Sequence, residues 1–187
     1  GVVLAGRLAA STQSWLPDHA VADVTLFPGA GFVELAIRAG DEVGCHAVDE
    51  LMLHAPLVLA PEGVAVHVVV STPDAGGARV FSIFSRPDVD GAAWTLHAAG
   101  ELSAEVSAPG AELSVWPPVG AREIDVADAY GTLAARGYQY GPAFQGLTAM
   151  WRRGDEIFAE VRLPQDVSTT GFGVHPALLD GALHAVI

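Results

Sequence analysis

One predicted helix, together with the β-rich runs that follow it, constrains the fold more than any other feature of the sequence. Apolar residues at every third or fourth position predict a helix over Gly29–Val43 that is buried on one face. Pro28 is typical of a helix start, and Gly44 is typical of a C-terminal cap. A helix of this kind needs an apolar surface to cover its buried face.

The β-rich runs after this helix provide such a surface. Five of them are separated by turns rich in glycine, proline and aspartate: Ala47–Leu53, Pro56–Leu59, Val64–Ser71, Ala78–Ser85 and Ala93–Ser103. The valine-rich run Val64–Val70 is continuous, which predicts a strand buried on both faces. With a further strand predicted over Val2–Leu8, the first half is expected to be α+β, with one helix lying against an antiparallel sheet.

The second half of the chain follows a segment of different composition. Residues 104–121 contain several prolines and glycines and predict a surface linker, anchored by Trp116. Beyond it, the spacing predicts helices over Ile124–Arg136 and from Pro176 to Ile187, and strands over Leu147–Arg152 and Ile157–Leu163. The final helix is apolar almost all round, so we expect it to be buried on nearly every face. The expected units are residues 1–103, a linker at 104–122, and residues 123–187.

Charge and cysteine content exclude several classes of function. The net charge of −13 argues against a nucleic-acid partner, because phosphates require a basic face, and it also disfavours an anionic membrane surface. No apolar run reaches the length of a membrane span. Cys45 is the only cysteine, so we expect no internal disulfide, no cysteine metal cluster and a reducing, cytoplasmic setting. The histidines outside the motifs have no ligand spacing, so we expect no metal site.

A histidine precedes the first predicted helix. His19 lies in a turn formed with Pro17 and Asp18, shortly before the helix start at Gly29. The first backbone N–H groups of a helix have no partner within the helix and carry its positive end. A histidine beside such donors could act as a base next to a site that stabilises an oxyanion. A structural role for His19 is the alternative.

A carboxylate and a histidine share one face of the final helix. Asp180 and His184 are four residues apart, so their side chains lie close together. A carboxyl group in so apolar a setting needs a polar partner, and burial favours its neutral form, as a general acid requires. A hydrogen bond that only locks the helix is equally consistent with the spacing. The helix starts at Pro28 and Pro176 form a weak internal repeat, which would place His19 opposite Asp180.

Three segments resemble the signature motifs of dehydratase domains in modular polyketide synthases. The run from His19 to Pro28 is similar to the HxxxGxxxxP signature of that family. Tyr140–Gly146 is similar to its YGPxFQG motif, and Gly173–His184 is similar to its HPALLDxxxH segment. The three occur in the order and at the separation typical of the family, and together they cover nearly the whole chain.

This resemblance implies a fold and a set of site residues. The fold is a double hotdog, in which two antiparallel sheets each wrap round a central helix, with the second hotdog incomplete in this chain. His19 is implied as the base, Asp180 as the acid, and His184 as the residue that orients Asp180. The other implied site residues contact the substrate or line its pocket: Tyr140, Gly141, Phe144, Pro28 and Gly29.

The resemblance also implies a reaction and its partners. Water would be eliminated from a 3-hydroxyacyl thioester, carried on the phosphopantetheine of an acyl carrier protein, with no cofactor bound by the domain itself. The implied partners are that carrier protein, neighbouring synthase domains and a second copy in a homodimer. The alternatives are a double-bond isomerase or cyclase with the same His/Asp pair, and a non-catalytic scaffold domain.

Three departures from the family pattern bear on these expectations. Asp23 occupies the position of the signature glycine, where it could either preserve the turn or perturb His19. The His-Pro-Leu-Leu opening of the family is absent, and the chain ends at Ile187, directly after the second helix. We therefore expect a fragment whose second helix lacks part of its covering sheet.

Overall fold

The computed structural model describes residues 1–89, 91–105 and 113–186, and it places most of the first half in one sheet and one helix. The elements of this half are β1 (Val2–Leu8), β2 (His19–Val21), β3 (Val24–Thr25), α1 (Gly29–Val43), β4 (Ala47–Leu53), β5 (Val64–Val70), β6 (Arg79–Pro87) and β7 (Thr95–Ser103). The long strands form an antiparallel sheet in the order β1-β5-β6-β7-β4, and α1 lies against it. The α+β prediction is confirmed.

Helix α1 forms where the sequence predicts it. Its buried residues include Phe32, Ala36 and Ala39, which share one face of the helix. Gly44 ends the helix in the left-handed conformation, at φ 72°, which glycine adopts without strain. The small alanines on the buried face allow the sheet to pack closely against the helix.

The burial of β5 differs from the prediction. Val64, Val66, Val68 and Val70 are buried on the face towards α1, whereas Val69 is exposed. The prediction of a strand buried on both faces is therefore wrong. In an antiparallel sheet covered by one layer of helix, the outer face stays open even when valines occupy it. The predicted strand Pro56–Leu59 is also wrong as a strand, since only an isolated bridge between Leu26 and Val58 forms there.

The second half repeats the arrangement on a smaller scale. Its elements are β8 (Arg122–Ile124), α2 (Ala129–Ala135), β9 (Tyr138–Tyr140), β10 (Leu147–Arg153), β11 (Glu156–Val161) and α3 (Pro176–Leu183). Strands β8, β10 and β11 form an antiparallel sheet in the order β11-β10-β8, and α3 contacts β11 and α1. Both predicted strands are confirmed within a few residues.

The helix predicted over Ile124–Arg136 is wrong in its first half. Arg122–Ile124 instead pairs with β10, opposite Met150–Arg152. A turn then follows, in which the Asp125 carboxylate accepts a hydrogen bond from the Ala127 N–H at 2.9 Å. Helix α2 begins only after this turn, because pairing with a distant strand outweighs the local helical spacing.

Helix α3 begins at Pro176 as predicted, with the His175 side chain accepting a hydrogen bond from the Ala177 N–H at 3.2 Å. It ends at Leu183 and continues as a 3-10 turn to Val186; Ile187 lies outside the described residues. Leu183 is 49% exposed and Val186 is 72% exposed, so the prediction of burial on nearly every face is wrong. One apolar side of the helix end is open to solvent.

A third sheet joins the two halves. Strands β3, β2 and β9 pair antiparallel in the order β3-β2-β9, which brings His19 of the first half opposite Tyr140 of the second half. The sequence did not predict this sheet. It matters for function, because it fixes the position of β2 against the second half of the chain.

The predicted linker lies partly outside the described residues, since 106–112 are among those not described. Trp116 packs edge-on against Trp151 and donates a hydrogen bond from Nε1 to Glu160 Oε1 at 2.6 Å. The unit boundaries at 103 and 122 stay predictions. None of the helices in the described part of the chain has the length and apolar character needed to cross a membrane.

Candidate active site

His19 lies at the first position of β2, directly after a 3-10 turn over Leu16–Asp18. Its Nδ1 lies 2.9 Å from the Leu26 carbonyl oxygen. A carbonyl oxygen can only accept, so Nδ1 carries the hydrogen and donates it, which leaves the lone pair on Nε2. The hairpin of β2 and β3 thus selects the tautomer in which Nε2 can accept a proton.

Asp180 approaches His19 from α3. Its Oδ2 lies 3.9 Å from His19 Nε2, and each residue is only 8% exposed. The same carboxylate oxygen lies 2.9 Å from His184 Nε2, one helical turn further along the chain. The structure therefore brings together the histidine of the first half and the Asp/His pair of the second half.

The environment of His19 keeps its imidazole neutral. Burial lowers the pKa of His19 below its ordinary value of 6.5, and this effect outweighs the opposing attraction of the Asp180 charge. A histidine with a lowered pKa carries a free lone pair at pH 7. His19 is accordingly in the form that a general base requires.

Tyr140 and Phe144 pack round the two histidines. The His19 ring centroid lies 5.1 Å from that of Phe144 and 5.5 Å from that of Tyr140. Tyr140 also lies against His184, with ring centroids 4.3 Å apart. Burial, and secondarily the nearby Asp180 charge, raises the pKa of Tyr140 well above its ordinary value, so its hydroxyl keeps its proton.

Asp18 connects the YGP segment to the His19 turn. Its backbone carbonyl accepts a hydrogen bond from the Gly141 N–H at 2.7 Å, and its carboxylate accepts one from the Ala143 N–H at 2.9 Å. A side chain at position 141 would overlap the Asp18 carboxylate, which explains the glycine. Gly141 therefore supports the site through the backbone and through this close approach.

Asp23 fits the position of the signature glycine. Its φ is 64°, in the left-handed region that aspartate tolerates better than most residues. Its backbone N–H donates to Gln139 Oε1 at 2.7 Å, and Gln139 Nε2 donates to Asp23 Oδ1 at 2.6 Å. Asp23 thus preserves the turn, and its side chain is bonded to Gln139.

A pocket of about 380 Å³ opens beside His19. Gly29, Phe32 and Leu53 also line it, so it reaches the start of α1. Within the described part of the chain, no hydrogen bond is made to the Gly29 N–H, which remains available to an acceptor. Pro28 is fully buried, and neither Pro28 nor Asp180 lines this pocket.

Two residues that position the site were not predicted from the sequence. Tyr130 of α2 has its hydroxyl 3.3 Å from His184 Nδ1. Glu34 of α1 is buried, and its carboxylate accepts hydrogen bonds from the Gly173 and Val174 N–H groups, both at 2.9 Å. Glu34 could have been noticed as a carboxylate within an apolar stretch of helix, whereas Tyr130 belongs to no motif.

Two family models match the chain. The model for the polyketide synthase dehydratase domain matches residues 1–86, and the model for the polyketide synthase dehydratase N-terminal domain matches residues 108–187. The first match contains His19 and the second contains Asp180. Together they account for both members of the buried pair.

Individual relatives agree with the family models. Mycoketide-CoA synthase of Mycobacterium tuberculosis is 67% identical over 190 residues, which cover 100% of this chain and 5% of that protein. A structure from a study of dehydratase substrate selection in the borrelidin and fluvirucin polyketide synthases matches with a TM-score of 0.94 and 49% identity, over 99% of this chain and 67% of that one. The bifunctional dehydratase-cyclase domain of ambruticin biosynthesis matches with a TM-score of 0.90 and 44% identity, over 98% of this chain and 65% of that one.

The chain thus spans a small part of the synthase it resembles and about two thirds of the solved domains. Those domains share the arrangement of α1 and α3 with their antiparallel sheets, so the predicted double hotdog is confirmed. The agreement of both family models, the fold and the buried His/Asp pair leads to one conclusion: this chain belongs to the dehydratase domains of polyketide synthases.

Proposed function

We propose that this chain eliminates water from a 3-hydroxyacyl thioester and yields the α,β-unsaturated thioester. The observation that carries the proposal is the 3.9 Å separation of His19 Nε2 and Asp180 Oδ2. The two groups that leave such a substrate, a proton and a hydroxyl, are on neighbouring carbons. A base and an acid only a few ångströms apart can therefore act on both at once.

His19 acts as the base. Its Nε2 lone pair takes the proton from the carbon next to the thioester carbonyl. The proton is only weakly acidic, so the base must be neutral and held in position when the substrate arrives. The lowered pKa and the Nδ1–H hydrogen bond to Leu26 meet both conditions.

Asp180 acts as the acid. It donates a proton to the β-hydroxyl, which then leaves as water while the electrons of the broken C–H bond form the new double bond. His184 holds the carboxyl group through the 2.9 Å contact to Oδ2. After one turnover the proton taken by His19 and the proton given by Asp180 balance, so no co-reactant is consumed.

The start of α1 stabilises the charge that develops on the thioester oxygen. The Gly29 N–H has no partner among the described residues and lines the same pocket as His19. A backbone donor at the positive end of a helix suits this role. Gly29 also leaves space there, because an added Cβ would meet only the Leu53 side chain, at 3.6 Å.

The partners follow from the same proposal. The substrate is carried on the phosphopantetheine arm of an acyl carrier protein, and the domain itself binds no cofactor. Neighbouring synthase domains are expected, since the relatives that match over this chain are far longer polypeptides. A homodimer and a cytoplasmic location complete the proposal.

The test is to supply the protein with a 3-hydroxyacyl pantetheine thioester and to follow the product by mass and by enoyl-thioester absorbance. We expect loss of one water and a new conjugated double bond. Both 3-hydroxy epimers are supplied separately, so that failure with one of them reflects stereochemistry. Recovery of both epimers unchanged would overturn the proposal and favour the scaffold alternative.

A second candidate function is cyclisation. It is favoured by the match to the dehydratase-cyclase domain of ambruticin biosynthesis, in which both activities occur in one domain. The same assay distinguishes it when the substrate carries a second hydroxyl further along the chain. A product that has lost water but shows no enoyl absorbance would indicate addition of that hydroxyl to the double bond.

A further inference from the structure

The Tyr130 hydroxyl lies between two groups of the second half. The Leu147 N–H donates to the Tyr130 oxygen at 2.8 Å, and the same oxygen lies 3.3 Å from His184 Nδ1. The two rings are nearly perpendicular, at 82°, with centroids 5.7 Å apart. Tyr130 therefore touches His184 at the ring nitrogen that faces away from Asp180.

The backbone N–H of Leu147 sets the direction of these hydrogen bonds. An amide N–H can only donate, so the Tyr130 oxygen accepts from Leu147. The hydroxyl proton then needs an acceptor of its own, and within the described part of the chain His184 Nδ1 is the group in reach. Burial raises the pKa of Tyr130, which keeps this proton on the phenol.

The same direction continues through His184 to Asp180. A neutral imidazole has one donor and one acceptor nitrogen, so a His184 that accepts at Nδ1 carries its hydrogen on Nε2. Nε2 then donates to Asp180 Oδ2, at 2.9 Å. His184 therefore holds the Asp180 carboxyl group through Oδ2.

We infer that Tyr130 is a positioning residue that fixes the tautomer of His184 and thereby sets the orientation of the Asp180 carboxyl group. The inference rests on the proposed function, since it concerns the acid of that reaction. Tyr130 does not touch the reacting atoms. It acts through His184, in the way that outer hydrogen bonds orient the ligands of a metal site.

The direct test is the tautomer of His184. Histidine labelled with ¹⁵N is incorporated into the protein, and the His184 signals are assigned by comparison with a His184→Gln variant. We expect protonated Nε2 and unprotonated Nδ1 in the wild-type protein, and a mixture of both tautomers in Tyr130→Phe. Protonated Nδ1 in the wild-type protein, or an unchanged tautomer in Tyr130→Phe, would overturn the inference.

Turnover provides the second measurement. Tyr130→Phe keeps the ring and removes the hydroxyl, so we expect kcat for dehydration to fall about tenfold while KM changes less than about twofold. Tyr138→Phe is the matched control, because it removes a tyrosine hydroxyl from the same half of the chain and keeps the ring that stacks on Tyr140; we expect its kcat to stay at the wild-type level. Wild-type kcat in Tyr130→Phe would contradict a positioning role.

The two readouts separate this inference from the proposed reaction. Wild-type protein that loses no water from any substrate would overturn the reaction. The NMR measurement needs no substrate and decides the tautomer on its own. Should Tyr130→Phe fail to fold, the wild-type spectrum still gives the decisive result.

Discussion

His19 Nε2 lies 3.9 Å from Asp180 Oδ2, although His19 belongs to the first twenty residues of the chain and Asp180 to its last helix. Neither half contains a complete pair. The pair exists because α1 contacts α3, β2 pairs with β9, and Asp18 bonds to the segment that begins at Gly141. Changes that loosen these contacts should therefore reduce activity without touching the reacting groups.

The pH dependence follows from the burial of His19. Burial lowers the pKa of His19, and protonation removes the lone pair that the reaction needs. We expect kcat/KM to fall as the pH drops, with a midpoint below 6.5, the ordinary value of the group. Circular dichroism at each pH excludes unfolding as the cause. A midpoint at or above 6.5 would contradict the buried, neutral His19.

Glu34 connects the two helices at a second point. Its carboxylate accepts hydrogen bonds from two N–H groups of the segment that leads into α3. The Glu34→Gln side chain has only one acceptor oxygen for these two donors. We expect a loss of about 1–3 kcal/mol in the free energy of unfolding, measured with urea, together with reduced kcat. Glu42→Gln, on an exposed part of the same helix, is the control. Equal stability of the two variants would show that the contact is unimportant.

Gly141 is required by its distance from Asp18. In Gly141→Ala the new methyl group overlaps the Asp18 carboxylate, which must move away from the Ala143 N–H. We expect the free energy of unfolding to fall by about 1–3 kcal/mol, and activity to fall with it. Gly6→Ala is the control, since an added Cβ there meets nothing within 4 Å. Similar melting temperatures for both variants would contradict this explanation of the motif.

Asp23 should be replaceable by the glycine of the signature. Its φ of 64° suits glycine, and its side chain is bonded to Gln139 rather than to His19. Asp23→Gly should keep kcat within about twofold of wild type, because the turn is retained. Asp23→Val places a β-branched residue in the same conformation and should cost about 1–2 kcal/mol of stability. A large gain or loss of activity in Asp23→Gly would show that the Asp23 charge does reach the site.

The sequence predicted those parts of the fold in which a periodic pattern of apolar residues continues over many positions. Helix α1 and strands β4 to β7 repeat their apolar residues over seven or more positions, which is enough to distinguish helix from strand. His19, Asp180 and His184 are predicted site residues because they lie in segments that resemble the family motifs, whereas their spacing alone is equally consistent with structural roles.

Features that depend on distant partners were not predictable. Strands β2, β3 and β9 have only two or three residues each, too few for a periodic pattern, yet they align His19 with Tyr140. The helix predicted over Ile124–Arg136 begins at a residue that instead belongs to β8 and pairs with β10. Tyr130 reaches His184 through the packing of α2 against the second half, a contact that no local pattern encodes.

The most direct test of the account is the dehydration rate of His19→Phe, Asp180→Asn and the double variant, measured against wild type with one thioester substrate. If the two residues act on the substrate together, each single variant should lose about 10²–10⁴-fold in kcat, and the double variant should lose little more than the worse single variant. A single variant that keeps more than about a tenth of the wild-type rate would contradict the assignment of that residue as base or acid.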